Sequence, residues 1–576
     1  MLCISIRRAE SMAYVYIMKY LKIGTHELVA LALIIVATGL RLILITQNWP
    51  ISNSDEATMG IMARHIAYRG ELPIFFYGQY YMGSLEAFIG AAFFHLSGSS
   101  VFSLRLGLVL MFTLFLISIY LLTSLLYSKA WALVSVALLS IGSSYMVARQ
   151  LSAIGGYPET LLFGSLAFLC AAWLVLAYQP EIGARRSRLL MYACWGLVVG
   201  LGLWSDLLII PFVMMSGLLL LAFCWRELLR IRAVLFILLG LLIGAAPLIY
   251  YNITAAPGQD SLTTLWHLQH GGSAPLHFSR VVLTKELLGT IQVSIPMMTG
   301  NPFCPVTELP FLGPTSPHTL TCTIAHSTWG LGYLLLFAVA IALTGWAVGQ
   351  CWRRVREKGR LQGSSEERRA LVLHSTRLAL LGSALLALAF YAFSAAPIDW
   401  PGIHARYIIG LLIATPAIFW PLWYGVSKSE AKMTALLRLR KGICTALLLC
   451  IGVVLLIGTG MMLGEIPAAQ AANQRQQALI DHLLSIGATH IYTDYWTCDR
   501  IAFVSQEKII CGVIDGNLQP SHNRDSRYYD SVSADPHSAY VFAADGQIQA
   551  VLEKVTQPGA HYRRYDFEGY IIYQPE

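Results

Sequence analysis

The chain has 576 residues, of which 56% are hydrophobic and only 12% are charged. Ordinary soluble domains carry roughly a quarter of charged residues, so this composition excludes a large soluble enzyme. The net charge of +8 does not indicate a nucleic-acid partner, because the basic residues are concentrated in short segments between apolar runs.

Apolar runs of about 20 residues, the length that crosses a bilayer, recur from residue 28 to residue 463. No small-residue cleavage site follows the first run, which is therefore interpreted as a retained helix rather than a signal peptide. The runs predict about eleven transmembrane helices, at roughly 28–46, 101–126, 130–147, 157–178, 189–204, 207–224, 233–252, 328–350, 371–394, 406–425 and 443–463.

Lys and Arg are concentrated in alternate connections between these runs. The N-terminus, Lys129, and the stretches at 184–188, 226–232, 353–369 and 427–442 together contain 23 of the 40. The positive-inside rule places these connections in the cytoplasm. We therefore expect a multi-pass protein of the plasma (inner) membrane. Its predicted parts are a cytoplasmic N-terminus 1–27, a membrane domain 28–464 with outside loops at about 47–100 and 253–327, and an extracytoplasmic domain 465–576.

The outside loops contain apolar segments with helical periodicity. "ATMGIMARHIAYRG" predicts a helix lying in the membrane interface, with Arg64, His65 and Arg69 on its polar face. The segment from Met82 to Leu96 is too short for a span and predicts a re-entrant or surface helix. "SRVVLTKELLGTIQVSIPMM" in the later loop predicts a second interfacial helix.

The tail is polar and alternates helix-like with strand-like pieces. "HIYTDYW", "KIICGVI" and "SAYVFAA" predict strands, and "YRRYDF" with "EGYIIYQ" predicts a hairpin. The predicted fold class is thus a polytopic α-helical membrane protein with a small C-terminal extracytoplasmic α/β domain. The tail contains no phosphate-binding glycine loop and no nucleophile motif.

Four of the 11 cysteines fall in predicted outside segments. Their spacing permits the disulfides Cys304–Cys322 and Cys498–Cys511 in an oxidising compartment, and the alternative is two pairs of buried free thiols. The chain has no Cys/His spacing typical of a zinc site.

Ionisable residues beside the hydrocarbon are costly, so those that occur there are candidates for function. On the outer side they are Asp55, Glu56, Glu86, Arg149, Glu159, Asp206, Asp399, His404 and Arg406. Each has a plainer interpretation. Asp55 could cap the following helix, Glu86 could be solvated, and Asp206 could simply form a turn. Arg149 and Arg406 could bind lipid phosphates, and Arg41 and Arg105 could be structural partners of the acids.

Three features together resemble one enzyme class: a long outside loop that opens with Asp55-Glu56, the stretch "GQYYMGSLEA", and "HARYIIGL" at the start of a late helix. The resemblance is to the GT-C superfamily of integral membrane glycosyltransferases, and covers about 28–425. Within that superfamily it is closest to the mannosyltransferase-like branch that contains protein O-mannosyltransferases and the lipid A aminoarabinose transferase. It implies an inverting hexosyl or pentosyl transferase of the cell envelope. The enzyme would move a sugar from a polyprenyl-phosphate donor to an acceptor hydroxyl on a lipid, polysaccharide or protein.

The resemblance also implies roles for individual residues. Asp55 would be the general base, and Glu56 would orient it or would itself be the base. Arg406, Arg149 and His404 would bind the donor phosphate. The residues expected to bind sugar or acceptor are Gln79, Tyr80, Glu86, Glu159 and Tyr407. No cofactor is required, although some superfamily members use a divalent cation.

Two other functions stay open at this point. A transporter or flippase of a polyprenyl-linked saccharide would place its acids deeper, whereas the helix centres here are nearly devoid of charge. An O-antigen ligase or polymerase would be expected to place its key basic residues in a large late loop.

Overall fold

The computed structural model describes residues 24–178, 186–270, 280–304, 319–357, 365–427, 435–546, 548–559 and 561–576. Residues 1–23 of the predicted cytoplasmic N-terminus, and parts of the later basic connections and of the loop 253–327, lie outside these ranges. The described chain consists of long apolar helices followed by a small domain built on a five-stranded sheet.

The helices before the sheet have the following bounds. They are α1 (Thr25–Thr46), α2 (Ser54–Arg64), α3 (Leu85–Ser97), α4 (Val101–Leu126), α5 (Lys129–Ser140), α6 (Ser144–Leu151), α7 (Tyr157–Leu176), α8 (Arg186–Ser205), α9 (Ile210–Leu228), α10 (Ile231–Gly244), α11 (Ala246–Thr254), α12 (Ser261–His270), α13 (Arg280–Gly289), α14 (Ile295–Thr299), α15 (Leu320–Glu357), α16 (Ser365–Ala392), α17 (Ala396–Asp399), α18 (Pro401–His404), α19 (Leu411–Ser427), α20 (Ala435–Gly464) and α21 (Ile466–Ser485).

By length and composition, nine helices of the described chain could cross a membrane, or up to twelve if each of three bent pairs is one span. This confirms a polytopic helical membrane protein. Eleven of the twelve coincide with the predicted spans. The twelfth, Arg280–Thr299, differs from the prediction of an interfacial helix, because α13 and α14 run on through a π-helical turn and together reach spanning length. Its polar Lys285 and Glu286 made it the weakest apolar run in the sequence.

Helix α7 occupies the centre of the membrane part. In its most apolar window 72% of the residues are buried, against 22% for α15. A helix that is apolar on all sides belongs in the interior of a bundle. The site residue Glu159 lies in the first turn of α7 and is therefore placed in the protein interior rather than facing lipid.

The C-terminal domain confirms the predicted α/β class. Its strands are β1 (His490–Thr493), β2 (Ile510–Val513), β3 (Ala539–Ala543), β4 (Tyr562–Phe567) and β5 (Tyr570–Pro575), and its helices are α22 (Tyr495–Val504), α23 (Ser526–Ala534) and α24 (Gln549–Val555). The sheet order is β2-β1-β3-β5-β4. β1 is parallel to β2 and β3, and β5 is antiparallel to β3 and β4.

One predicted strand ends early. "HIYTDYW" is extended only to Thr493, because the Asp494 side chain accepts hydrogen bonds from the backbone N–H groups of Trp496 and Thr497 and caps α22. A carboxylate at this position satisfies N–H groups that have no partner inside the helix. Tyr495 therefore lies in the first turn of a helix that faces the membrane part.

Helix α2 packs against α22 of the C-terminal domain and not on an open membrane surface. Nine of its eleven residues are buried. Its basic side chains, predicted to face the membrane interface, instead converge on Glu507, which contacts Arg64, His65 and Arg69. Although burial acts to raise it, the hydrogen bonds from His65 and Tyr528 help lower the pKa of Glu507 to about 2. The interfacial interpretation was wrong because the sequence does not show which tail surface covers the helix.

The contact between α2 and α22 depends on Gly60. A Cβ built there would lie 2.5 Å from the ring of the buried Phe503. We expect Gly60→Ala to separate the helices and destabilise the protein by about 1–3 kcal/mol, because overpacking forces neighbouring groups to move. Thermal unfolding in detergent and protease sensitivity of the C-terminal domain would measure the loss. Gly39→Ala is the control, since a Cβ at Gly39 meets no atom within 4 Å, and an equal loss in both variants would contradict the expectation.

Candidate active site

Asp55 lies near the start of α2, where the C-terminal domain meets the membrane part. Its side chain is 19% exposed, and Arg524 Nη2 donates a hydrogen bond to its Oδ1 at 3.0 Å. The Tyr495 hydroxyl donates to the same oxygen. Within the described ranges no group bonds to the second oxygen, Oδ2, which is therefore available to accept a proton.

Glu56 is in a different environment from its neighbour. Arg105 donates to both of its oxygens, Nε to Oε1 at 2.8 Å and Nη2 to Oε2 at 2.6 Å, and both side chains are 1% exposed. The backbone N–H of Ala153 adds a third bond to Oε1 at 3.2 Å. Both oxygens of this buried carboxylate are therefore occupied by hydrogen bonds to the protein. The two adjacent acids are thus distinguished by their partners.

Two plainer interpretations of these residues can now be judged. The N-cap of α2 is Asn53, whose side-chain oxygen accepts from the Glu56 N–H at 2.9 Å, so neither acid caps the helix. Arg105 is a structural partner of an acid. Arg41 is not, because it donates to the Ser140 carbonyl and to Gln150 Oε1.

The loop 152–156 joins two of the acid sites through its backbone. The Ala153 N–H donates to Glu56, and the Gly155 N–H donates to Glu86 Oε2 at 3.1 Å. Gly155 has a φ of +95°, a left-handed conformation that favours glycine. The turn therefore presents successive amide groups to acids from two different helices.

Glu86 and Glu159 form a buried pair of acids. Their exposures are 2% and 1%, and within the described ranges the Glu159 oxygens and Glu86 Oε1 have no hydrogen-bond partner outside the pair itself. Burial and the Glu159 carboxylate raise the pKa of Glu86 well above its usual range. Like charges in a buried site favour retention of one proton between them. The plainer interpretation, in which Glu86 is a solvated helix residue, does not fit this buried environment.

Asp206 lies against the same loop. Its side chain does cap a turn, as the plainer interpretation expects, by accepting from the Leu208 N–H at 2.9 Å. It also packs directly against Gly156. A Cβ built at Gly156 would lie 2.4 Å from Asp206 Oδ2, too close for any other residue type. Burial raises the pKa of Asp206 to about 6, and the positive charge of Arg406 opposes that rise. Asp206 is therefore part of the polar centre.

Two arginines are held by aromatic rings. The Arg149 guanidinium lies 4.8 Å from the ring centre of Tyr145, and that of Arg406 lies 5.6 Å from Tyr157 and 5.4 Å from Tyr407. The Nε atoms of both arginines are buried without a partner in the described chain. Guanidinium groups oriented by rings and retaining free N–H groups are suited to bind an anion.

The remaining predicted residues surround this centre or lie at its edge. His404 stacks on Tyr407 at 5.2 Å, and its Nδ1 lies 3.1 Å from a backbone carbonyl oxygen, so it orients that ring. Gln79 Oε1 is buried without a described partner. Tyr80 is 42% exposed and stacks on Tyr251 at 5.8 Å.

Tyr81 is subject to the charges of both Arg524, which contacts Asp55, and Arg406. Burial raises the pKa of its hydroxyl to about 12, and the charges of Arg524 and Arg406 both oppose the rise. Both guanidinium groups therefore act on one hydroxyl and belong to one polar region. Of the sequence-predicted residues, this region brings together Asp55, Glu56, Glu86, Glu159, Arg149, Arg406 and Tyr407.

Solved structures show the same overall arrangement. ArnT from Cupriavidus metallidurans, bound to undecaprenyl phosphate, matches with a TM-score of 0.52 and 13% identity over 94% of this chain and 97% of that one. The oligosaccharyltransferase of Archaeoglobus fulgidus in its apo form matches with a TM-score of 0.51 and 13% identity over 91% of this chain and 70% of that one. The chain has the GT-C fold. No protein-family model and no curated protein matches it.

Two residues of the candidate site were not predicted from the sequence. Tyr495 and Arg524 come from the tail, 440 and 469 residues after Asp55. Neither belongs to a recognisable motif. A signal for Tyr495 was present in Asp494, a good cap residue before a helical pattern, but the alternation of "HIYTDYW" concealed it.

The four cysteines predicted to lie outside are bonded in the structure as Cys304–Cys322 and Cys498–Cys511. The second disulfide joins α22 to β2 and so supports the helix that carries Tyr495. Only one compact group of three metal-ligand side chains occurs in the described ranges, Cys498, Asp499 and Cys511. Its sulfur atoms are in the disulfide, so this group does not bind a metal ion.

Proposed function

We propose that the chain is an inverting glycosyltransferase that moves a sugar from a polyprenyl-phosphate donor to an acceptor hydroxyl at the outer membrane face. The observation that carries the proposal is Asp55, a carboxylate with one anchored and one free oxygen. It shares its polar region with two half-buried arginines whose Nε atoms are buried without a partner in the described chain. The shared fold with an ArnT solved with undecaprenyl phosphate supports the donor class.

In the proposed reaction, proton transfer and stabilisation of the leaving group are assigned to different residues. The acceptor oxygen attacks the anomeric carbon as its proton passes to Asp55 Oδ2, and the bond from that carbon to the phosphate oxygen breaks. Arg406 and Arg149 stabilise the negative charge on the departing polyprenyl phosphate. A single displacement inverts the anomeric centre.

The remaining polar groups suit recognition of the sugar. Gln79 has a buried oxygen without a described partner, and the Glu86–Glu159 pair has buried oxygens with no partner outside the pair. Such oxygens are costly unless a ligand bonds to them. We assign them to hydroxyl groups of the donor sugar, with Tyr407 packing against it. A divalent cation is not required for this scheme, because the arginines neutralise the phosphate.

We place the N-terminus in the cytoplasm and the C-terminal domain outside. The basic connections between spans support this orientation. Both disulfides then lie in the oxidising compartment. In this orientation Asp55, which contacts the C-terminal domain, lies on the outer side, where a lipid-linked donor and an envelope acceptor would meet.

The proposal is tested with purified protein in lipid and a panel of radiolabelled polyprenyl-phosphate sugars. We expect transfer of label to envelope acceptors, or its release from at least one donor. Absence of turnover with every donor, together with movement of intact donor across the vesicle membrane, would contradict the proposal and favour a flippase.

A second experiment examines the phosphate site. We expect Arg406→Gln to lower kcat/KM for the donor by about 100-fold, because a charge-assisted bond that strengthens as the phosphate leaves is lost. Arg232→Gln, at an exposed cytoplasmic-side arginine, is the control and should leave kcat/KM unchanged. An Arg406→Gln enzyme with unaltered donor kinetics would remove this residue from the phosphate site.

A further inference from the structure

The C-terminal domain reaches the candidate base directly. We propose that Arg524 and Tyr495 of this domain are positioning residues that hold Asp55 in its reactive orientation, so that the tail completes the active site. This inference rests on the proposed function, because it assigns a task only if Asp55 is the base. It goes beyond that function by making a domain 440 residues away part of the catalytic unit.

The three side chains form a closed set of hydrogen bonds. Arg524 Nη2 donates to Asp55 Oδ1 at 3.0 Å, and Arg524 Nε donates to the Tyr495 hydroxyl at 3.0 Å. The Tyr495 hydroxyl in turn donates to Asp55 Oδ1. Both contacts to the carboxylate therefore go to a single oxygen. Rotation of the carboxylate would break both hydrogen bonds, so Oδ2 is held in one orientation.

Arg524 is itself held in place. Its side chain is 8% exposed, and its guanidinium lies 4.9 Å from the ring centre of Phe76 and 5.3 Å from that of Tyr495. Gly78, whose φ of +71° favours glycine, lies beside Arg524, and a Cβ there would be in ordinary contact with its side chain at 3.5 Å. Residues of the membrane part thus contact this tail residue and hold it in place.

Tyr495 is fixed by backbone contacts as well. Its carbonyl oxygen accepts a hydrogen bond from the Ser54 hydroxyl, one residue before the base. Asp499, on the next turn of α22, accepts from Thr58 one turn further along α2. The two helices are therefore in register beside Asp55, and any shift of α22 moves the groups that orient the carboxylate.

In this proposal Arg524 and Tyr495 orient Asp55 and do not exchange protons with it. The acceptor proton moves to Asp55 Oδ2 while the acceptor oxygen bonds to the anomeric carbon, and Arg524 and Tyr495 keep their own protons. Holding a catalytic group in its reactive orientation removes an entropic part of the barrier, and a misplacement of about 1 Å can cost roughly 100-fold in rate. Positioning should therefore appear in kcat and not in donor affinity.

The test compares Arg524→Gln, Arg524→Lys and Tyr495→Phe with the matched control Arg527→Gln. Arg527 bonds to Glu71 across the same interface but does not contact Asp55. We expect Arg524→Gln to lower kcat by about 10- to 100-fold with donor KM within about twofold, and Arg524→Lys to recover part of the loss. Tyr495→Phe should lower kcat by a smaller factor, and Arg527→Gln should leave kcat unchanged.

A structural role would give a different pattern. Equal losses in Arg524→Gln and Arg527→Gln, accompanied by a lower Tm, would show that Arg524 only docks the domain and would overturn the inference. A rise in kcat in Arg524→Gln would also overturn it, because the contact would then restrain the base.

Failure of the inference is distinguishable from failure of the proposed function. If Asp55→Asn abolishes transfer while Arg524→Gln does not alter it, only the positioning role is lost. If Asp55→Asn retains full transfer, the proposed base is wrong and the inference falls with it. In the Asp55→Asn background we expect Arg524→Gln to cause no further loss, because residues that act through one group are non-additive.

Discussion

Replacing Asp55 with Asn should reduce sugar transfer by at least about 100-fold while leaving the protein folded. A positioned general base typically contributes 10²- to 10⁴-fold, and an amide cannot take the acceptor proton. The substitution retains an oxygen that Tyr495 and Arg524 can bond, so the docking of the C-terminal domain should survive. The measurement is transfer of label from the preferred donor, with Tm recorded for the same preparation.

Asp399→Asn provides the control for this experiment. Asp399 is another acid of the predicted outer side, and it is exposed at the end of α17. We expect its replacement to leave transfer unchanged. If both variants lost activity equally, the effect would come from general loss of negative charge, and Asp55 would not be the base.

Replacing Glu56 with Gln should act mainly on stability. Arg105 is 1% exposed and depends on Glu56 for its ion pair. Removing one partner of a buried pair typically costs about 3–5 kcal/mol, because the other charge stays buried and uncompensated. Thermal unfolding in detergent should show a clear decrease in Tm for Glu56→Gln and none for Asp55→Asn.

The double variant Glu56→Gln/Arg105→Met separates the two contributions. Removal of the uncompensated charge should restore part of the lost stability, since well-packed apolar replacements of buried pairs are often neutral. A Glu56→Gln protein as stable as wild type but as inactive as Asp55→Asn would instead make Glu56 the base. The sequence alone left that choice open.

Most of the fold could be predicted from the sequence, because it follows from repeated apolar runs. Most of the candidate site could not, because it depends on contacts between residues that are distant in the sequence. The runs of about 20 apolar residues predicted eleven spans, because a bilayer imposes length and polarity on every helix that crosses it. Arg280–Thr299 was misassigned because Lys285 and Glu286 weaken its apolar character. The tail strands followed from their alternation, except where Asp494 starts a helix.

Asp55 and Glu56 were identified as candidates from their position in the sequence. Their different environments became apparent only from the contact between Glu56 and Arg105, which lies 49 residues later in the chain than Glu56. No local pattern relates these residues, and the same is true of Arg524. The chemistry of a carboxylate depends on which of its oxygens are occupied. That information exists only after the chain has folded.

The contact between α2 and α22 also has a consequence for biosynthesis. Asp55 leaves the ribosome 440 residues before Tyr495, which corresponds to roughly 20 to 90 s at ordinary rates of translation. During that interval α2 has none of its tail partners, and Gly60 faces no Phe503. A ribosome-bound or truncated chain would therefore insert its helices without the contacts that orient Asp55. Under the proposed function, activity would begin only when the C-terminal domain has been translocated, folded and docked, so that the order of synthesis would protect the lipid-linked donor from incomplete enzyme.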